Sequence, residues 1–413
     1  MALFKAYRYY VDSFDGLSRE VWLLALVTFI NRAGSMVIPF LSLYLSQDKG
    51  LDLKQIGWVM SAFGAGSVLG SWIGGKLTDR IGYYEVMVGS LLTSGVAYIL
   101  LQYVNGFLPF CLGVFVLVLL ADAFRPAIFV ALRGYATPEN RTRAVTLVRL
   151  AINLGFSMGP AIGGLIITTL SYAGLFWVDG VTCILAAIML IWTIPKKPPA
   201  SSIDTKVPVA DQSPYTDRIY LLFLVIIVLI SIPFLQYFST VPLFYNEVHG
   251  LNEAQIGLLL GFNGLLIFLI EMPLIKYCEG RFDMFHILLF SVVLFILSFI
   301  VLVVFPVVAF LWVGMLFMTV GEMLNFPFMN RFAFDRSDQG PPGAYMALFT
   351  IAWSVAHIIG HNLGMRSVEK WGYDVTWVLC AGCLFLALAA TALLAWLMKR
   401  QAQTEEIADH ASV

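Results

Sequence analysis

The chain has 413 residues, of which 60% are hydrophobic and only 12% charged, with a mean hydropathy of +0.84 and a formal net charge of −1. Soluble domains keep about a quarter of their residues charged, so this composition excludes an ordinary soluble fold and points to a membrane protein. The near-zero net charge removes the electrostatic basis for a nucleic-acid partner, and none is expected.

Residues 1–21 mix aromatic and charged side chains, with no apolar run and no small-residue cleavage site. They are read as a cytoplasmic or interfacial segment, with Tyr7, Tyr9 and Tyr10 at the lipid headgroups, rather than as a signal peptide. Six apolar runs then follow, at 22–45, 56–75, 86–104, 108–131, 144–169 and 173–194, and make up an N-terminal half, 22–194. Each is long enough to cross a bilayer, which takes about 20 residues. Residues 195–218, rich in Pro, Ser and Asp, are too polar to enter lipid and read as a cytoplasmic linker. A second set of six runs, at 219–243, 255–275, 285–305, 308–329, 344–365 and 374–398, makes up a C-terminal half, 219–398, before a cytoplasmic tail, 399–413. The fold class predicted is therefore an all-α membrane protein with twelve transmembrane helices. Nineteen Lys and Arg fall on one side of these spans, and only Lys49, Lys54, Arg366 and Lys370 on the other. The positive-inside rule puts both termini in the cytoplasm, in a bacterial cytoplasmic (inner) membrane. Cys380 and Cys383 have C-x-x-C spacing but lie in an apolar helix with no second pair, which reads as packing rather than a metal or redox site.

The two halves repeat each other at an offset of 200 residues. Gly50-Leu51 and Gln55-Ile56-Gly57 return as Gly250-Leu251 and Gln255-Ile256-Gly257; Asp122 faces Glu322, Gly164 faces Gly364, and Trp177 and Cys183 face Trp377 and Cys383. Parallel six-helix repeats of this kind build transporters, whose substrate sites lie near the midplane.

Three segments carry a family resemblance. Gly75-Lys76-Leu77-Thr78-Asp79-Arg80-Ile81-Gly82, between spans 2 and 3, resembles the G-x-L-x-D-R-x-G motif of the major facilitator superfamily, although Tyr83, Tyr84 and Glu85 stand where the family usually has basic residues. Span 5 reads Gly155-Phe156-Ser157-Met158-Gly159-Pro160-Ala161-Ile162-Gly163-Gly164 and resembles the G-x-x-x-G-P-x-x-G-G motif of that superfamily's antiporters, drug–proton exchangers above all. Pro138 to Ala144 is similar to its span 4–5 connector. The resemblance implies the major facilitator fold, alternating access, and conformational gating by Gly75, Asp79, Arg80, Gly82, Gly155, Gly159, Pro160, Gly163 and Gly164. A generic small-residue packing face is the plainer reading of span 5. Span 1, from Asn31-Arg32 to Tyr44, is faintly similar to proton-coupled peptide symporters but lacks the acids that family places before its arginine.

Ionisable residues inside spans face a cavity or a partner, because each costs about 2.5–3.5 kcal/mol to insert. Arg32, Asp122 and Glu322 lie about ten residues from the cytoplasmic end, or ~15 Å at helical rise. The resemblance implies that spans 1, 4, 7 and 10 line one cavity. Asp122 is expected to pair with Arg32 or Arg125. Its copy Glu322 has Asn325 in place of Arg125, with Gln236 and Tyr237 near the place of Arg32, so Glu322 is the expected proton carrier. Asp122 and Glu271 are the other proton-coupling candidates. Asn31, Arg32, Arg125, Gln236, Tyr237 and His357 are the expected substrate-cavity residues. His357 and His361 sit one turn apart, a spacing that suits packing more readily than a metal or a proton relay.

The function expected is a secondary transporter exporting a small organic, amphiphilic or drug-like compound in exchange for protons. No cofactor is needed, since the proton gradient supplies the energy, and the partners are substrate, protons and membrane lipid around a monomer. The alternative is a proton symporter taking up a sugar, organic acid or peptide. A membrane enzyme or sensor is the remaining class, but no G-x-S-x-G, H-E-x-x-H or P-loop pattern is present, and no catalytic residue or metal site is assigned.

Overall fold

Turn chemistry sets where the helices begin, and the repeated residues lie at those turns. A computed structural model describes residues 16–137, 140–196, 213–305 and 307–411. The segment with Tyr7, Tyr9 and Tyr10 and most of the 195–218 linker lie outside the described residues. Gly50 and Gly250 both adopt left-handed backbone (φ 63° and 66°). Two residues on, Asp52 and Asn252 accept from the amides of Gln55 and Gln255 at 2.7 and 2.9 Å, and each glutamine accepts back at 3.2 and 3.0 Å. The reciprocal pair satisfies amides a helix start would otherwise leave orphaned.

The residues divide into two compact units, one made of the described residues up to 196 with Gly250–Phe268, the other of the described residues from 213 to His249 and from Leu269 onward. In the first unit, α1 (Arg19–Ala33) and α2 (Val37–Gln47) form one crossing with a break between them, followed by α3 (Leu53–Ile81) and α4 (Tyr83–Leu101). A second broken crossing, α5 (Phe107–Asp122) and α6 (Phe124–Tyr135), precedes α7 (Arg141–Thr169) and α8 (Tyr172–Thr193). Gly66, Gly70 and Gly74 recur every four residues on α3. A Cβ on any of them would come within 2.6 Å of the α5 backbone or Ala123, so these two helices touch main chain to main chain.

The other crossings are α9 (Arg218–Gln236) with α10 (Thr240–Glu247), α11 (Glu253–Cys278), α12 (Met284–Val304), α13 (Val308–Ser337) and α14 (Pro342–Ala411). Only the first part of α11 belongs to the first unit. Gly372 (φ 81°, ψ 176°) interrupts α14, so its long apolar stretch, Ala344–Gln401, supplies two crossings where the other ten stretches supply one each. The twelve expected spans are thus present among the described residues, most of them longer than predicted. Three are broken where single helices were expected, and the 399–413 tail continues the last helix to Ala411.

Candidate functional site

In the first unit, the break after Ala33 leaves the amides of Met36 and Val37 without carbonyl partners in the interior. Asp179 of α8, fully buried, accepts both: Met36 N at 2.9 and 3.0 Å to its two oxygens, and Val37 N at 2.9 Å. Sequence reading passed over this residue. An acid in mid-span was its only signal, and the repeat gave no help because Leu379 stands at the matching place.

The cap fixes the end of α1, where Asn31 and Arg32 point into a cavity of about 30 Å³ also lined by Ser35, Tyr98, Asp122 and Cys183. The Asn31 amide donates to Cys183 Sγ at 3.5 Å. Asp122 ends α5 and takes a hydrogen bond from the Ser67 hydroxyl of α3 rather than the direct ion pair expected with Arg32 or Arg125. Arg32 lies 5.6 Å from the Phe156 ring centroid. Arg125 is exposed on α6. Of the expected residues, this unit brings together Asn31, Arg32 and Asp122, and leaves Arg125 at the surface.

The second unit differs. Gln236, expected in a cavity, is buried beside the α9–α10 break, where Nε2 donates to Ile232 O at 2.8 Å and Gly360 O at 2.9 Å, while Oε1 accepts from Thr240 Oγ1 at 2.9 Å. Tyr237 is equally buried, its ring 5.4 Å from Phe299. Gln236 is a structural joint of the unit, because a broken helix needs polar groups at the break satisfied, and Tyr237 packs there through its ring. Glu322 is half-buried on α13, which continues unbroken where the first unit breaks after Asp122. One turn along from Glu322, Phe326 meets Trp353 of α14 at 5.0 Å. Antiparallel rise then brings His357 to the level of Glu322. The His357 ring is 5.8 Å from that of His361, which is almost fully buried. Asn325 donates to Ser291 Oγ at 2.8 Å. Glu271 is buried on α11, two residues before Pro273.

The glycine-rich helix α7 presents two small faces. Gly155, Gly159 and Gly163 face the α1–α2 break: a Cβ at Gly155 would lie 2.6 Å from Arg32 Cβ, and one at Gly163 would lie 3.1 Å from Met36 Cβ. Ser157, Pro160 and Gly164 face the start of α11. There a Cβ at Gly257 would sit 2.3 Å from Pro160 O, one at Gly264 2.6 Å from Ser157 Cα, and one at Gly164 2.2 Å from Glu253 O. Ser157 Oγ also donates to Gly261 O at 3.0 Å. In the loop motif, Gly82 has left-handed backbone (φ 97°), whereas Gly75 has nothing within 4 Å of a would-be Cβ. Asp79 and Arg80 are exposed, and Glu85 forms an ion pair with Lys196.

A second site escaped the sequence reading. Asp217 caps α9 by accepting from Tyr220 N at 3.1 Å. It receives Arg336 Nε at 2.7 Å and Nη2 at 2.9 Å, and Tyr345 OH at 3.1 Å, all buried. Burial pushes this carboxyl up, but the bonds from Arg336 and the Tyr220 amide outweigh it and hold it below the usual carboxylate range. Linker composition hid Asp217, which lies near the end of the segment read as a cytoplasmic linker.

The sequence profile described as the Major Facilitator Superfamily matches residues 21–361. The chain is 25% identical over 370 residues to the uncharacterized MFS-type transporter YqjV of Bacillus subtilis (strain 168), covering 85% of this chain and 87% of the relative. It is 26% identical over 409 residues to a putative sugar efflux transporter of Deinococcus radiodurans, covering 93% and 98%. Against the 4-hydroxybenzoate transporter PcaK of Acinetobacter baylyi it is 27% identical over 184 residues, covering 44% and 40%. A crystal structure of the peptide transporter POT in complex with sulfate has the same fold, with a TM-score of 0.77 at 16% identity over 94% of this chain and 96% of that one.

Proposed function

The chain belongs to the Major Facilitator Superfamily of membrane transporters, and on that footing we propose that it exports a small organic compound in exchange for protons by alternating access. The observation that carries the reading is the two-faced helix α7. Seams made of glycine and backbone, with few interdigitating side chains, let a helix shift against two neighbours without unlocking a packed core. Its sequence is the one that resembles the antiporter motif. A relative aligned along nearly its whole length is described as an efflux transporter, in agreement with the reading. Glu322 carries the proton in this scheme: it is half-buried, level with His357, on a helix that stays continuous. Asp122 and Glu271 are the reserve carriers. The Lys and Arg distribution puts both termini in the cytoplasm.

The second reading is proton-driven uptake of an organic acid. It is favoured by Arg32, a basic residue lining an interior cavity, and by the alignment to a 4-hydroxybenzoate transporter over part of the chain. Proton release from detergent-purified protein on adding lipophilic cations, antibiotics, sugars, organic acids and dipeptides, with Glu322→Gln beside the wild type, separates the readings. Release that disappears in the variant supports exchange at Glu322. Release that persists moves the carrier to Asp122 or Glu271, and proton uptake on ligand binding supports symport.

A further inference from the structure

Building on the reading of the chain as a carrier of small organic compounds, we propose that the Arg32 cavity is a carboxylate pocket and that the substrates are small organic monoanions with an apolar or aromatic body. The argument is a charge account of the first unit. Among the described residues two acids, Asp122 and Asp179, lie in its interior, and both bond to neutral donors. Asp179 spends both oxygens on the backbone amides of Met36 and Val37, and Asp122 accepts from Ser67. Among the described residues, Arg32 has no carboxylate in contact, and its Nε is buried without a hydrogen-bond partner. A half-buried guanidinium whose Nε is buried without a partner favours an anion that can reach it.

The shape of the cavity narrows the ligand. A volume of about 30 Å³ holds one or two water-sized groups, the scale of a carboxylate head. A planar guanidinium fork matches a carboxylate. Asn31, Ser35 and Tyr98 add polar groups around the head, while Ile38 and Phe63 give it apolar walls. Asp122 on the same cavity disfavours a dianion such as phosphate, so one negative charge is selected.

Benzoate, benzamide and benzylamine share a ring and differ in charge, so they are the probes, with binding to the purified full-length protein followed by tryptophan fluorescence. Benzoate is expected to bind and the other two not. Arg32→Gln should weaken benzoate binding by about tenfold or more, the scale of a lost charge-assisted hydrogen bond, and Arg32→Lys should keep part of it. Asp122→Asn, which removes a like charge, should tighten benzoate binding by about fivefold. Because Asp122→Asn gains binding, its result cannot be mistaken for misfolding. Preferential binding of benzylamine, with the signs of the Arg32 and Asp122 variants reversed, overturns the carboxylate pocket while leaving the transporter reading intact. Benzoate binding that is absent, or unchanged in Arg32→Gln, overturns it as well. Failure of the exchange reading shows separately, in the sign of the proton movement that accompanies transport.

Discussion

Replacing Gly257 by Ala tests the seam between α7 and α11 directly. The added Cβ would lie 2.3 Å from Pro160 O, where ordinary contact begins at 3.4 Å, so the two backbones must separate by about 1.1 Å (3.4 − 2.3) or bend. Neither neighbour can yield as a flexible side chain would, because the clash is with main chain. Overpacking of this kind costs about 1–3 kcal/mol. If the seam re-forms in each transport cycle, that cost falls on the closed arrangement and depopulates it about 5- to 150-fold. The assay is initial transport rate in proteoliposomes, normalised to monodisperse protein, with Gly264→Ala and Gly164→Ala as companions. Gly75→Ala is the control: it meets nothing within 4 Å, lies in α3 and should leave the rate unchanged although its motif resembles a gating loop. Wild-type rates in Gly257→Ala together with a crippled Gly75→Ala would refute the reasoning and return the gate to the loop.

Arg336→Leu should destabilise by about 3–5 kcal/mol, since it strands a buried carboxylate, and thermal unfolding in detergent should fall accordingly. Adding Asp217→Asn should recover part of that loss, and no recovery would mean that the two side chains are not coupled. The folded Asp217 carboxyl is held below its ordinary value, so its contribution is complete above the unfolded value near about 4 and disappears as pH falls through the folded one. Unfolding scans over acidic pH should show a loss that Asp217→Asn lacks. Asp179→Ala leaves the Met36 and Val37 amides unsatisfied and should cost about 2–4 kcal/mol, whereas Asp179→Asn, which keeps one acceptor oxygen, should cost less than half as much. Equal losses by thermal unfolding would show that charge, not capping, is what Asp179 supplies.

The span count, the duplication and the small-residue helix were legible because each rests on a local property: apolar length, turn chemistry, and glycine recurring every fourth residue. Contacts between distant spans were not. Asp179 takes its role from a partner 143 residues away, and Asp217, although it caps its own helix, takes its ion pair from Arg336, 119 residues away. Gln236 and Tyr237 were assigned to a cavity by analogy with Arg32, but the second unit closes its helix break with a neutral amide and a buried ring. Of the two glycines in the loop motif, Gly82 has a backbone that requires glycine and Gly75 does not.

The repeat itself explains the pattern of success and failure. Its strongest matches, Gly50 with Gly250 and Gln55 with Gln255, are turn and cap residues, and any helix starting at that place needs them whatever the protein transports. Buried side chains are under no such shared demand: Trp177 is half-exposed, while Trp377 is fully buried. Function requires the copies to differ. One interior holds Arg32, Asp122 and Asp179 around a helix break; the other answers with Gln236, Glu322 on an unbroken helix, and the imidazole of His361. Under the proposed reading, a single carrier that binds an anion and moves a proton needs a fixed positive charge in one place and a titratable group in another. The mismatched position Arg32 against Ile232 is therefore a better guide to the chemistry than the matched turn and cap residues.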